Sequence, residues 1–207
     1  LGNKEKAAEY YRKAIAVAPT DIDLRMSYAK MLDSLGNEDA AVNEYNYVLS
    51  KIKDDKDILY SLERIYKKKL EKAVEISNIQ DYIESLPLSY NTKIGNEGIG
   101  MSGGQRQRLM IARAVYKDPN YIFFDEATSS LDANNERIIM ENLNRFFDGK
   151  TVVIIAHRLS TVKNADQIVV MGEGKVIEKG NHQELIQLKG AYYNLVKNQL
   201  DLEKLND

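Results

Sequence analysis

Met101-Ser-Gly-Gly-Gln105 stands directly before a helical pattern running from Arg106 to Tyr116, so a hydroxyl and the free N–H groups of a helix start meet at the positive end of its dipole. Such a turn can hold a phosphate, and taken alone it reads equally well as a glycine hinge capped by serine. Further along, the apolar run Tyr121 to Phe124 ends in Asp125-Glu126. That arrangement offers one carboxylate to a magnesium shell and the next to an attacking water. Thr128-Ser-Ser-Leu-Asp132 follows at once, and a second apolar run, Thr151 to Ala156, delivers His157 to the same carboxyl edge of a sheet.

The elements that must position these residues are legible in the pattern. Tyr121 to Phe124 and Thr151 to Ala156 lack polar alternation, which predicts interior parallel strands buried on both faces. Between them, Asp132 can cap a helix carrying Ile138, Ile139, Leu143 and Phe146 on one side, giving a strand–helix–strand crossover. A third strand, Gln167 to Met171, turns at Gly172-Glu-Gly174 into Lys175 to Glu178. Asn181 with Glu184 then predicts a capping box for a closing helix.

Residues 1–70 follow a different grammar. Leu1-Gly2-Asn3 returns as Leu35-Gly36-Asn37, 34 residues later, and Ala7, Tyr11 and Ile15 return as Ala41, Tyr45 and Leu49. A period of that length resembles the tetratricopeptide repeat, a pair of helices meeting at a glycine-containing turn. Lys53 stands where that repeat usually has proline, and a third first-helix begins near Lys56 with Ile58, Leu62, Ile65, Tyr66 and Leu70 at helical spacing, without its partner helix. The boundary is placed at 70/71, with Ala73, Val74 and Ile76 continuing the apolar rhythm so that one helix could bridge the parts. Tyr10, Tyr11, Tyr45 and Tyr47 are assigned to the interhelical seam rather than to a peptide groove, and Lys67-Lys-Lys69 to a solvated face.

Composition narrows the functions. The chain of 207 residues carries 29 basic and 31 acidic side chains for a net charge of −2, which removes the basic footprint of a nucleic-acid binder. There is no cysteine and there are two histidines, so disulfide frameworks, thiolate metal sites and histidine-built zinc sites lack support. His182 opens a capped helix and is assigned there as a terminus residue. Gly98-Ile-Gly-Met-Ser-Gly103 spells G-x-G-x-x-G after polar residues rather than a strand, which argues against a dinucleotide site. No run approaches the roughly 20 apolar residues of a membrane-spanning helix. The opening at Leu1 without a basic-then-apolar pattern reads as an internal piece of a longer chain.

The second half, residues 71–207, resembles the later part of the nucleotide-binding domain of an ABC transporter. The family signature appears as Met101 to Gln105, with methionine where leucine is usual. The Walker B strand is Tyr121 to Asp125, the D-loop Ser129 to Asp132 and the switch histidine His157. Thr92-Lys-Ile-Gly-Asn-Glu-Gly98 resembles the loop by which exporter-type domains meet their membrane partner. The resemblance implies an α/β fold, a partial P-loop NTPase-like parallel sheet with helices, preceded here by an all-α helical-hairpin array. It implies that Ser102, Gly103 and Gly104 bind the γ-phosphate of ATP held by a second nucleotide-binding domain, with Gln105 in support and Asp132 crossing the interface. Asp125 would hold Mg²⁺ through water, and Glu126 and His157 would be catalytic. A membrane-spanning transporter domain is the implied partner, and the cytoplasmic face of the membrane the implied location.

The phosphate cradle G-x-x-x-x-G-K-[ST] has no copy in these residues: the Gly149-Lys150 and Gly174-Lys175 pairs have Asn144 and Val169 where the earlier glycine belongs. The sequence therefore predicts a fragment of an ABC-type exporter ATPase that is inactive on its own. Two other readings stand beside it: a tetratricopeptide adaptor that binds a peptide or protein on its helices, and an unnatural join of two gene fragments.

Overall fold

The computed structural model describes residues 2–95, 99–125, 128, 130–155 and 162–205. It divides into two compact units, Leu1–Glu75 and Ile76–Asp207.

The first unit is helical: α1 (Gly2–Val17), α2 (Ile22–Ser34), α3 (Glu38–Leu49) and α4 (Lys56–Ile76). Asp21 starts α2 by accepting from the Leu24 N–H at 3.0 Å. Gly36, at φ 75°, makes the left-handed turn into α3, a conformation that a side chain resists. Ala8, Tyr28, Ala29, Leu32, Ala41, Tyr45, Val48, Ile58, Leu62 and Ile65 form one core, which draws on all four helices. Small residues at 8, 29 and 41 let backbones approach, and Tyr45 fills the space between them.

The four tyrosines assigned to the seam find different places from one another. Tyr45 is buried in the core, and burial pushes its phenol pKa up. Tyr11 stacks on Tyr28 with ring centroids 5.8 Å apart, whereas Tyr10 is exposed, which corrects its assignment to the seam. Tyr47 lies under Arg25, whose guanidinium sits 3.9 Å from the ring centroid and donates to Glu44 at 2.7 Å and to the Pro19 carbonyl at 2.7 Å. Of the third predicted helix, Ile58, Leu62 and Ile65 are buried while Tyr66 and Leu70 are exposed. The lysine run is not merely solvated, because Lys68 pairs with Glu38 and Lys69 with Asp39, each at 2.5 Å, and Arg64 pairs with Asp33. Helix α4 runs on past residue 70 with Ala73 and Val74 buried, so the units divide at 75/76, five residues beyond the composition shift.

The second unit contains α5 (Gln80–Ser85), a 3₁₀ turn (Ser89–Asn91), α6 (Gly103–Lys117), β1 (Tyr121–Asp125), α7 (Ala133–Phe146), β2 (Thr151–Ile155), β3 (Ile168–Gly172), β4 (Lys175–Gly180), α8 (His182–Leu188) and α9 (Ala191–Leu205). Asp118 closes α6 in the left-handed region immediately before Pro119. Strands β1 and β2 pair in parallel, Tyr121 with Thr151 through Asp125 with Ile155, with α7 as the crossover. Helix α7 buries Ile139, Leu143 and Phe146, the stripe its sequence marks.

Strands β3 and β4 form an antiparallel hairpin turned by Glu173 and Gly174, both at positive φ. Asn181 and Glu184 make the predicted capping box at α8. Ile168, Val170, Leu185, Tyr192 and Val196 pack together behind the hairpin. His182 accepts or donates through Nδ1 to the Tyr192 hydroxyl at 2.8 Å, so it joins two helices. The Glu178 carboxylate caps α9 by accepting from the N–H groups of Ala191 and Tyr192.

One expectation fails in the sheet. Burial along β1 and β2 alternates, and Tyr121, Phe123, Val153 and Ile155 are exposed on a single face. A run of apolar residues records that both faces suit a dry environment. It does not record whether anything within these residues covers them.

Candidate functional site

Helix α6 begins as its sequence prescribes. Ser102, in extended conformation, accepts the Gln105 N–H on its Oγ at 3.2 Å, and Gln105 Oε1 accepts the Ser102 N–H at 2.9 Å. This reciprocal box leaves specific groups over. The Ser102 hydroxyl keeps its own proton to donate, and the first-turn N–H groups of Gly103 and Gly104 have no acceptor within the helix. Ser102 and Gly103 are exposed. The result is a set of donors at the positive end of a 15-residue helix, suited to an anion.

The two glycines also permit a close contact. A Cβ built on Gly104 would lie 3.1 Å from the Ser130 carbonyl oxygen and 3.5 Å from Leu131 Cδ2, and one on Gly103 would lie 3.4 Å from Ser130 Cβ. The 130–131 turn therefore rests on the start of α6. Gln107, one turn along the helix from Gly104, holds it by accepting the Ser130 N–H at 2.9 Å. The turn closes on itself through Leu131 N–H to the Thr128 carbonyl at 3.1 Å, with Leu131 buried. Thr128 donates its hydroxyl to Glu136 at 3.1 Å.

Asp132 ends this turn and starts α7. Its carboxylate accepts from the Asn135 N–H at 3.0 Å and from the Asn135 side-chain amide at 2.5 Å. Those two bonds, the side-chain one foremost, hold its pKa below the ordinary aspartate value. Asn135 in turn accepts from Asn78 at 2.9 Å, and the Asn78 carbonyl accepts from Arg108 of α6 at 2.8 Å. Asn78, in the left-handed region at φ 50°, thereby links the two helices that carry the serine–glycine turn and Asp132.

The structure thus brings Ser102, Gly103, Gly104 and Gln105 to one helix start and sets the turn that leads into Asp132 against it. Asp125 sits exposed at the carboxyl end of β1, paired with Ile155 of β2. Glu126 and His157, the candidate catalytic residues, lie outside the described residues, as does part of the 92–98 loop. Asp125 alone does not make a metal site, and among the described residues there is no cluster of three or more potential metal ligands. The donor set at α6, by contrast, fits a phosphate. Sequence reasoning missed Gln107, Asn78, Asn135 and Glu136. Gln107 alone had a local signal, its i+3 spacing from Gly104 on one helix face.

The sequence profile of the ABC transporter family matches residues 4–129, more than half of the chain. The chain belongs to the ABC transporter family. The matched span takes in the signature turn and Asp125, and it reaches back through the helices whose period resembles tetratricopeptide repeats, beyond the stretch on which the motifs carry the resemblance.

Relatives point to exporters. ABC transporter B family member 21 of Arabidopsis thaliana is 45% identical over 159 residues, 76% of this chain and 12% of that protein. The leukotoxin translocation ATP-binding protein LktB of Mannheimia haemolytica is 50% identical over 122 residues, 59% of this chain and 17% of that protein. A bacterial Atm1-family ABC exporter solved with ATP bound superposes with a TM-score of 0.59 at 36% identity, covering 64% of this chain and 23% of the other. The chain spans less than a fifth of the length of these two relatives. An ABC nucleotide-binding domain of exporter type accounts for the small parallel sheet and its helices. Among the described residues, no helix is long and apolar enough to cross a membrane.

Proposed function

We propose that this chain supplies the signature face of an ATP-driven exporter, acting on nucleotide gripped by a second nucleotide-binding domain. The observation that carries this reading is the capping box at α6, which fixes the turn while leaving the Ser102 hydroxyl and the Gly103 and Gly104 N–H groups to receive a phosphate. Bound there, ATP would supply the transferable phosphoryl group and the energy of its hydrolysis. Ser102 donates to its γ-phosphate, the glycines add backbone donors, and Gln105 keeps the serine in place. Such fixed donors stabilise developing charge without reorganising.

The remaining roles rest on the family resemblance. Asp125 would approach Mg²⁺ through water, Glu126 would polarise the attacking water and His157 would sense the γ-phosphate. Asp132, its carboxylate engaged with Asn135, would offer the backbone of its turn to the opposing domain. The membrane-spanning partner and the place at the cytoplasmic face of the membrane belong to the same reading. Because these residues contain no lysine-bearing phosphate loop, the chain alone is inactive and a poor ATP binder.

A fluorescent ATP analogue titrated with Mg²⁺ tests that statement: no saturable micromolar binding is expected, and its appearance with the isolated chain contradicts the reading. With a complete ABC nucleotide-binding domain added, Ser102→Arg abolishes the hydrolysis that depends on both chains. Retained hydrolysis removes Ser102 from the site.

A second reading concerns the helical unit. The 34-residue period and the packing of α2 against α3 over small residues support a tetratricopeptide-like adaptor for a peptide or protein partner. Pull-down with residues 1–75 in an otherwise intact chain against the same chain lacking them tests it, since a specific partner must be lost with the helices.

A further inference from the structure

Helix α4 carries two apolar stripes, and one of them is left facing water. Ile58, Leu62 and Ile65 are buried in the core that all four helices share. Beside them, Leu59 is 49% exposed, Tyr66 39% and Leu70 36%. With Glu63, these residues step along the helix by four, three and four, which is the seam spacing of a helix pair. The seam from Leu59 to Leu70 is roughly 17 Å long at a rise of about 1.5 Å per residue.

The sequence repeat indicates what such a face receives. Shifted by the period of 34 residues, Arg25, Ala29 and Leu32 of α2 fall on Leu59, Glu63 and Tyr66 of α4. On α2 these positions belong to the packing with α3: Arg25 binds Glu44 there, and Ala29 and Leu32 are buried in the shared core. The corresponding face of α4 is therefore laid out for one further helix. Glu63 stands where α2 has alanine, so the incoming helix must bring a donor or a cation to its carboxylate.

A second α4 supplies both the apolar residues and the cation. Arg64, Lys68 and Lys69 are engaged with Asp33, Glu38 and Asp39, whereas Glu63 and Lys67 are exposed and enter no ion pair among the described residues. Two α4 helices laid antiparallel, with the two-fold axis midway along the seam, set Leu59 against Leu70 of the second copy. Glu63 then meets Tyr66 of that copy, with its Lys67 alongside. Each contact occurs twice, as a self-complementary interface requires. A parallel pair in register would instead bring Glu63 against Glu63 and Lys67 against Lys67, a like-charge juxtaposition that opposes binding.

We infer that the Leu59–Glu63–Tyr66–Leu70 face of α4 is a homodimerisation seam, joining two copies of the chain antiparallel with Glu63 of each reaching Lys67 of the other. The contact goes beyond the ATP reading: it needs no nucleotide and lies on a different surface from the head-to-tail one.

Sedimentation equilibrium of the intact chain without nucleotide is expected to show a concentration-dependent monomer–dimer equilibrium in the micromolar range. Leu59→Lys and Leu70→Lys should each weaken it at least tenfold, with circular dichroism verifying that both variants are folded. Glu63→Lys and Lys67→Glu should each weaken it as well. The double variant Glu63→Lys/Lys67→Glu should restore it, since the reversed pair is again complementary across the two-fold axis. A chain that stays monomeric overturns the inference and leaves this face to a helix of another protein. So does a dimer indifferent to both leucine substitutions, one that forms only with ATP, or one that Phe123→Lys disperses while Leu59→Lys does not. A double charge variant that dimerises no better than the single ones also overturns it, because the antiparallel register then fails.

Discussion

Ser102 serves the fold and the proposed ligand with different parts of one hydroxyl: the lone pair accepts the Gln105 N–H, and the proton remains to be donated. Ser102→Ala therefore removes the cap as well as the anion donor, and an N-cap is worth about 1 kcal/mol. Urea denaturation should show that loss, whereas Ser102→Thr should keep most of the stability. Gly104 is constrained by contact rather than by dihedral angle. A methyl there meets the Ser130 carbonyl, and overpacking of this kind costs about 1–3 kcal/mol. Gly104→Ala is expected to lower the denaturation midpoint and to shift the Ser130 and Leu131 amide resonances, and an unperturbed turn would show that the contact does not matter.

Asp132 adds a pH dependence whose sign is fixed. Its folded pKa is depressed by the two bonds from Asn135, so its contribution to stability is present above the ordinary aspartate pKa of about 4 and fades as pH falls through the lowered value. The stability gap between the unsubstituted chain and Asp132→Ala should accordingly be open at pH 7 and narrow toward pH 2. A gap of constant size would mean that the carboxylate charge contributes nothing to the cap.

At the scale of elements, polar side chains join what the apolar stripes only bring near. Arg25 connects α2 to α3 and to the preceding turn through Glu44, the Pro19 carbonyl and the Tyr47 ring, with both members of the ion pair largely shielded. Hydrogen bonds to charged groups contribute about 1.5–3 kcal/mol. Arg25→Ala should therefore cost about 2 kcal/mol in the unfolding of the helical unit, measured by the exchange of its slowest amides. The exposed pairs from α4 to Glu38 and Asp39 should each matter less, near the 0–1 kcal/mol of surface ion pairs.

Much of this level was legible beforehand. Periodicity marked Ile58, Leu62 and Ile65 on α4 and Ile139, Leu143 and Phe146 on α7, and the capping residues Ser102, Asp132 and Asn181 stand where their types predict. Tyr10 was misplaced because a tyrosine satisfies a seam and a wet surface equally well, and only the neighbouring helix decides which it meets. The Asn78 link to Arg108 and Asn135 had no pattern to announce it, since its partners lie 30 and 57 residues away.

At the scale of the molecule, each unit has a core of its own, one around Tyr45 and Ile65 and another around Leu185 and Tyr192. Leu185→Ala should cost about 2–5 kcal/mol, as buried leucines do, and the loss should register in amides of β3, β4, α8 and α9. Amides around Tyr45 that respond equally would show a single cooperative unit.

The sequence by itself determined the signature turn, the strand ends that carry the acids, the helix caps and membership of the motif family, because these depend on short-range residue order. It also determined that no phosphate loop is among these residues. Tertiary structure alone decided that Ser130 rests on Gly104, that Asn78 ties α6 to α7, and that the β1/β2 sheet turns one apolar face to solvent. Those outcomes depend on which distant segments meet, and no local spacing encodes whether a surface suited to burial has found its cover.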